Sequence, residues 1–336
     1  MRIGVIGLGW FGELHCDTIQ GISNLELYGI STRNQARLNS LQKKFRCPVA
    51  TTNYEELLLD ENVDLVVICT PPKSHAAIAI AALKNNKNVL VEKPISSDLA
   101  QAQEIIEASY NSRGKLFIGH ICRFNIRYQE AKLIIQSGEI GEVLSITTHR
   151  RLPASRTESL LQETSPFVSD AIHDINLILW FTQMASGEIY AQTSTKRNFK
   201  NPDLGHIIIK TNSGMLANLQ INWHMPDQTP YSVDEYCQVV GTKGCIQIGS
   251  QIDSMHIVSE RGFRVPDLVY WPKRNSGHVG ALREEYLSLI EFFEKSEYSE
   301  LANIQDAYNS LLLALAAEKS ARYSEVIQFS LNRQKQ

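Results

Sequence analysis

Three glycines near the start of the chain are spaced for chemistry. Gly7, Gly9 and Gly12 stand in Gly7-Leu8-Gly9-Trp10-Phe11-Gly12, directly after the apolar run Ile3–Ile6 and before a helical stretch. In that setting Gly7 permits a tight turn, Gly9 lets backbone approach a pyrophosphate, and Gly12 lets the helix pack against the strand. The phosphates of a dinucleotide then meet the helix N-terminus beside Trp10 and Phe11, where free N–H groups and the helix dipole favour an anion. An enzyme that reads NAD usually offers a carboxylate to the ribose hydroxyls at the end of the second strand. Here that segment reads Ile30-Ser31-Thr32-Arg33-Asn34 and holds no acid. The hydroxyls of Ser31 and Thr32 and the guanidinium of Arg33 suit a 2′-phosphate, so the residues favour NADP, with NAD as the alternative.

The elements that must position such a turn follow from hydrophobic rhythm. To about His120 short apolar runs at Ile3–Ile6, Leu25–Ile30, Leu65–Cys69, Asn88–Val91 and Leu116–Gly119 alternate with amphipathic stretches at Phe11–Gln20, Gln35–Phe45, Ser74–Lys84 and Leu99–Tyr110. That alternation predicts a doubly wound α/β domain over residues 1–120, a parallel sheet covered on both faces, with Ser74 and Gly114 as cap-type residues. From residue 121 the rhythm changes. A helix over Tyr128–Gln136, a long strand over Val143–Arg151 and a helix over Asp170–Phe181 precede strands at Gly187–Thr195, His206–Thr211, Met215–Trp223, Tyr236–Gly241 and Cys245–Ile248. Turns such as Asn212-Ser213-Gly214 and Thr242-Lys243-Gly244 make this sheet mainly antiparallel and open. Residues 121–336 are thus read as an α+β substrate-binding and oligomerisation domain, its last helices, Tyr286–Phe293 and Ala307–Tyr323, packing back. The segments Arg151–Phe167 and Gln228–Asp234 read as loops.

At 336 residues, 43% hydrophobic and 21% charged, the chain is long enough for two sound cores. A net charge of −3 without a run of Lys or Arg gives nucleic acid no electrostatic footprint. No apolar stretch reaches the roughly 18 residues of a membrane helix, and no leader pattern follows Met1. The six cysteines Cys16, Cys47, Cys69, Cys122, Cys237 and Cys245 are scattered, without zinc spacing or a disulfide framework. Reduced thiols in the cytoplasm and no metal are expected.

Three further segments carry a family likeness: Thr70-Pro71-Pro72 with His75, Glu92-Lys93-Pro94, and His173-Asp174. With these the chain resembles, over nearly its full length, the family of glucose-fructose oxidoreductase, inositol dehydrogenase and the rhizopine-catabolism dehydrogenases. Gly119-His120-Ile121-Cys122-Arg123-Phe124-Asn125, the Ser137-Gly138-Glu139-Ile140-Gly141 turn and Arg150-Arg151 look most like its sugar and nucleotide-sugar 3-dehydrogenase branch. The resemblance implies an NAD(P)-dependent dehydrogenase that moves a hydride between the nicotinamide and a secondary alcohol of a sugar, inositol or nucleotide-sugar. It places the nicotinamide end at Thr70, Pro71, Pro72 and His75, with a cis bond before Pro94. Lys93 would hydrogen-bond the reacting hydroxyl and stabilise charge as its proton leaves, and Glu92 would orient Lys93 or the cofactor. His173 would be the general base, with His75, His120 and His149 as weaker candidates. Arg123 and Asp170 complete the expected substrate contacts.

One departure from the family bears on activity. The Asp usual four residues before the histidine and the acid three after it are Ser169 and Asn176 here. Asp170 is then the replacement carboxylate in a rotated geometry, while Asp174 points elsewhere. The loss motivates an alternative in which the protein is a catalytically silent cofactor and sugar sensor. A third reading, a hydroxy-acid dehydrogenase, would need a carboxylate clamp from Arg123, Arg150, Arg151 and Arg156. A homodimer or homotetramer is expected through the exposed face of the second sheet, with aromatic residues such as Trp223 on that face.

Overall fold

The computed structural model describes residues 1–249, 255–260, 262–275, 277–295 and 301–331, which fall into two compact units. The first comprises Met1–Phe124 and Tyr270–Tyr308, the second Asn125–Val269 and the chain from Asn309.

In the first unit β1 (Arg2–Ile6), α1 (Trp10–Gln20), β2 (Glu26–Ser31), α2 (Gln35–Phe45), β3 (Val49–Thr51), α3 (Glu55–Leu59), β4 (Leu65–Ile68), α4 (His75–Lys84), β5 (Asn88–Glu92), α5 (Leu99–Tyr110) and β6 (Leu116–Gly119) succeed one another. The strands pair in parallel in the order β3-β2-β1-β4-β5-β6. Strand β4, Leu-Val-Val-Ile, is buried at every position, as a strand covered on both faces must be. The direction of winding reverses between β1 and β4, which puts the Gly7 turn at the switch point of the sheet. Asn34 and Asp98 start α2 and α5 by accepting the N–H groups of Arg37 and Gln101. Ser74 does not cap α4: its hydroxyl lies 2.8 Å from Thr70 Oγ1 and 2.8 Å from the Pro71 carbonyl oxygen instead. Gly114 is a point of close approach, since a Cβ there would lie 2.0 Å from the Lys87 carbonyl oxygen. Strand β3 and helix α3 were not expected from the pattern.

The second unit is built from α6 (Ile126–Ser137), β7 (Val143–Pro153), α7 (Ala154–Glu163), α8 (Ile172–Thr182), β8 (Ser186–Ser194), β9 (Leu204–Thr211), β10 (Leu216–Met225), β11 (Asp234–Gly241), β12 (Cys245–Ile248) and the short hairpin β13 (Ile257–Ser259) with β14 (Gly262–Arg264). In the first unit follow β15 (Lys273–Arg274), β16 (Gly277–His278) and α9 (Ala281–Lys295), the last packing Phe292 and Phe293 edge-on against Phe117. Helix α10 (Ile304–Tyr323) leads to β17 (Ile327–Ser330), an edge strand beyond the last expected helix. The seven-stranded sheet of the second unit runs β12-β11-β7-β10-β9-β8-β17, antiparallel except at β7 and β10. Its strands alternate: in β9 Gly205, Ile207, Ile209 and Thr211 are buried and His206, Ile208 and Lys210 exposed. By the same parity Ala217, Leu219, Ile221 and Trp223 of β10 face inward, so Trp223 belongs to the core and not to an exposed interface. The expected loop after Arg151 is instead the end of β7 and helix α7.

Candidate active site

At the carboxyl end of β1, Gly7 adopts φ +94°, and a side chain there would meet Cys69 and Thr70 backbone at 2.7 Å. A Cβ on Gly12 would lie 1.9 Å from the Gly7 carbonyl oxygen, which is what brings α1 hard against the turn. Around Gly9 nothing stands within 4 Å of a Cβ position, and no side chain caps the helix that follows. The cradle therefore combines a tight turn, open backbone and a helix N-terminus, and a dinucleotide pyrophosphate fits it. Trp10 is exposed and Phe11 half-buried, both beside Trp271 at ring separations of 5.3 and 6.0 Å. Arg37 Nε donates to the Leu8 carbonyl at 3.1 Å and its guanidinium pairs with Glu13, which fixes the turn from the α2 side. Beyond β2 no carboxylate occupies Ser31-Thr32-Arg33, and Arg33 is exposed.

The Thr70-Pro71-Pro72 turn follows β4, and Glu92-Lys93-Pro94 follows from β5, with Lys93-Pro94 in the cis form. His75 joins these two segments. Its Nδ1 lies 2.9 Å from the Pro94 carbonyl oxygen and its Nε2 2.7 Å from that of Thr70. Burial lowers its pKa against the pull of the two carbonyls. With both ring nitrogens within hydrogen-bond distance of backbone carbonyls, His75 ties the two segments together. Glu92 is buried as well: its carboxylate accepts from the Lys93 N–H at 3.3 Å and lies 3.2 Å from His15 Nε2. His120 is buried, with neither ring nitrogen hydrogen-bonded, and burial together with the charges of Arg123 and Lys93 drives its pKa well down. Arg123, also buried, pairs with Asp306 at 2.8 Å.

In the second unit the segment before His173 is a π-helical turn, Phe167–Ala171, in which Ile172 N–H reaches back to the Phe167 carbonyl. Such turns insert a residue into the helical register and are frequent at functional sites. It carries Ser169, buried, and Asp170, whose Oδ2 accepts from Trp223 Nε1 at 2.6 Å. His173 is the second residue of α8 and is buried. Asp174 faces Arg150, at 3.1 and 3.4 Å, and burial raises its pKa. Asn176 donates to Ser310 Oγ at 3.0 Å. Arg150 also contacts Glu235 at 3.3 Å, and Arg151 donates to Gln220 and lies 3.6 Å from Asp234. Arg123, Arg150 and Arg151 thus spend their charge on carboxylates of the fold, three of the four arginines that a hydroxy-acid clamp would need; Arg156, on α7, is exposed.

The model of an oxidoreductase family with an NAD-binding Rossmann fold matches residues 1–120, and that of the GFO/IDH/MocA C-terminal domain matches residues 128–247. The chain belongs to the GFO/IDH/MocA family. It is therefore a dinucleotide-dependent oxidoreductase, and no helix of the described residues is long and apolar enough to cross a membrane. Among similar family members, the myo-inositol 2-dehydrogenase of Thermotoga maritima is 28% identical over 95% of this chain and 96% of its own. The inositol 2-dehydrogenase of Rhizobium meliloti is 25% identical over 96% of each. The crystal structure of a probable dehydrogenase from Thermotoga maritima superposes with a TM-score of 0.83 at 25% identity, covering 98% of this chain and 99% of that one. That of scyllo-inositol dehydrogenase from Lactobacillus casei, solved with NAD(H) and scyllo-inositol, gives 0.82 at 21% identity over 98% of both and shares the fold.

Sequence reasoning missed His15, Tyr286 and Glu285, all wholly buried in the first unit. The histidine lies one helical turn beyond Gly12, a spacing that could have marked it; nothing local marks the other two. Neither carboxyl oxygen of Glu285 is hydrogen-bonded, and burial, then the charge of Glu92, pushes its pKa well above the ordinary 4.5. A carboxyl raised in the fold stabilises through its protonated form, fully below pH 4.5, and that contribution is lost as pH rises through the folded value. Melting temperature should therefore fall with rising pH more steeply for the native protein than for Glu285→Gln, whose amide cannot ionise. Parallel curves from pH 4.5 upward would count against a neutral Glu285.

Proposed function

We propose that the protein transfers a hydride between the nicotinamide of NAD(P) and a secondary alcohol of a ring polyol, an inositol or a sugar. The observation that carries this is the placement of the glycine turn and of Glu92-Lys93-Pro94 at the carboxyl ends of β1 and β5 in one parallel sheet, the edge where open α/β sheets bind ligands. The inositol dehydrogenases that match along almost the whole chain supply the substrate class. The bound dinucleotide supplies the hydride acceptor in oxidation and the donor in the reverse direction.

The chain's own residues then divide the remaining work. Gly7, Gly9, Trp10, Phe11 and Gly12 border the pyrophosphate, Ser31, Thr32 and Arg33 meet the adenosine ribose, and Thr70, Pro71 and Pro72, held by His75, flank the nicotinamide. Lys93 donates to the reacting oxygen and stabilises the charge that develops there, with Glu92 fixing its backbone. His173 takes the hydroxyl proton as general base or returns it as general acid. Asp170, oriented by Trp223, and Arg123, oriented by Asp306, contact the substrate. Residues 1–120 serve as the dinucleotide domain and most of the remainder as the substrate and oligomerisation domain.

Incubated with myo-inositol, scyllo-inositol, free sugars and UDP-sugars in the presence of NAD+ or NADP+, the protein should reduce the nucleotide on at least one ring alcohol, read by absorbance. Cofactor and polyol binding without redox change on any of them would favour a sensor. On the substrate so found, His173→Ala should lower turnover about 10²–10⁴-fold with cofactor affinity nearly unchanged. Near-normal turnover would refute the assignment.

The protein should prefer NADP(H) to NAD(H). A charged hydrogen bond to the 2′-phosphate contributes about 1.5–3 kcal/mol, so Arg33→Ala should weaken NADP binding about tenfold or more and spare NAD. Equal losses for both cofactors, or a native preference for NAD, would remove the discriminating role of Arg33.

A homodimer or homotetramer should form through the outer face of the seven-stranded sheet, where Ile208 and Leu216 are exposed and Tyr190 and Tyr236 half-buried. A monomer in sedimentation at micromolar concentration would rule this out.

A further inference from the structure

We propose that Tyr286 and His15 form a positioning relay that holds the Glu92 carboxylate, and through it the backbone of Lys93, in a single arrangement for hydride transfer. The proposal rests on the reading that Lys93 serves the reacting hydroxyl.

Three elements meet in the relay: α1 brings His15, β5 ends in Glu92, and α9 brings Tyr286, with His15 and Tyr286 wholly buried and Glu92 6% exposed. Tyr286 Oη lies 2.7 Å from His15 Nδ1, and His15 Nε2 lies 3.2 Å from Glu92 Oε1. Burial pushes the Tyr286 phenol well above its ordinary range, so its O–H is present to donate. In the tautomer with the ring proton on Nε2, that N–H donates to Glu92 and Nδ1 accepts from the phenol. In that tautomer the direction runs from phenol to imidazole to carboxylate. The other carboxylate oxygen of Glu92 accepts from the Lys93 N–H at 3.3 Å. The hydrogen-bonded chain therefore ends on the residue that the chemistry needs placed.

Packing removes the freedom that would make such a chain soft. The His15 ring is edge-on to Phe11 at 4.8 Å and 90°, and to Tyr286 at 5.7 Å and 79°, so its plane is set on two sides. Across from Glu92 stands Gly119, where a Cβ would lie 2.5 Å from Oε1; any side chain there would displace the carboxylate. Because Phe11 belongs to the glycine turn, the relay also ties the cofactor cradle to Lys93. A structural polar cluster needs satisfied hydrogen bonds but no particular endpoint. Two features go beyond that need: the chain ends at the backbone of Lys93, and its central ring packs against Phe11 beside the glycine turn.

The test uses Tyr286→Phe, which deletes one oxygen, together with His15→Ala, His15→Gln and Lys93→Ala. Turnover is measured with myo-inositol and NAD+ or NADP+. The environment of Lys93 is read without substrate, from its rate of modification by pyridoxal 5′-phosphate with borohydride trapping, mapped by peptide mass. Loss of one net hydrogen bond predicts that Tyr286→Phe lowers kcat about threefold to tenfold, with cofactor Kd and KM for myo-inositol within about twofold. His15→Ala should lose more, His15→Gln should recover part by keeping a donor toward Glu92, and Lys93 modification should change at least about threefold in the variants that lose kcat. Native kcat and native Lys93 modification in Tyr286→Phe and His15→Ala, alongside a dead Lys93→Ala, would overturn the relay. If Lys93→Ala retains turnover, or myo-inositol is not turned over, the modification rate alone decides: changed, the relay stands; unchanged, it falls. Should His15→Ala not fold, Tyr286→Phe carries the decision.

Discussion

The carbonyl oxygen of Gly7 occupies the space that a side chain at position 12 would need, 1.9 Å from where its Cβ would be. The close seating of α1 on the glycine turn depends on that contact. It presses the start of α1 onto the end of β1, so backbone N–H groups rather than side chains face the open ground above Gly9. It also sets how far α1 stands from the sheet. His15, one turn later on the same helix, thereby reaches Glu92 at the end of β5. A bulkier residue at 12 would lift the helix, and the cradle and the Glu92 contact would be lost together.

What the sequence revealed depended on how local the cause was. The glycine turn was legible because three residues in a span of six dictate it, and the parallel strands because their apolar runs are continuous. Strand β3 was not, since three residues with Val49 and Ala50 half-exposed leave no periodicity to read. The turn before His173 was not legible for a different reason. A face argument assumes 3.6 residues per turn, and the π turn at Phe167–Ala171 breaks that count. Asp170 meets Trp223 as a result, a contact between residues 53 apart that no spacing rule supplies. For Trp223 itself the signal was present: it shares strand parity with Ala217, Leu219 and Ile221, and composition was given more weight than parity. Glu285 was beyond reach, because an acid on an amphipathic helix reads as solvent-facing until the element packed over it is known.

Buried charge is handled in two ways. In the second unit Arg150 lies between Asp174 and Glu235, and Glu235 also accepts from Arg127 and Asn125. Such a network returns little net stability over an apolar core but penalises every arrangement that separates its members. It joins β7, β11, α6 and α8 in one register, and α8 carries His173. In the first unit neither carboxyl oxygen of Glu285 is hydrogen-bonded among the described residues, and burial with the charge of Glu92 raises its pKa, while Glu92 contacts His15 and the Lys93 backbone. The lone acid is tolerated because protonation spares it the cost of a buried charge.

That disposal of charge also constrains the substrate. An anionic substrate needs a guanidinium or ammonium whose charge is not already matched, since a paired arginine has lost most of its attraction for a second carboxylate. Arg123, Arg150 and Arg151 are each matched within their own unit, to Asp306, to Asp174 and Glu235, and to Asp234. The candidate substrate residues of the second unit are instead His173 and Asp170, and with Ser169 they offer donors and acceptors without excess positive charge. Groups of that kind recognise hydroxyls, and several hydroxyls in fixed relation are what a ring polyol presents. Ser169 stands where the family's acid was expected, and a hydroxyl can donate as well as accept, which a carboxylate cannot.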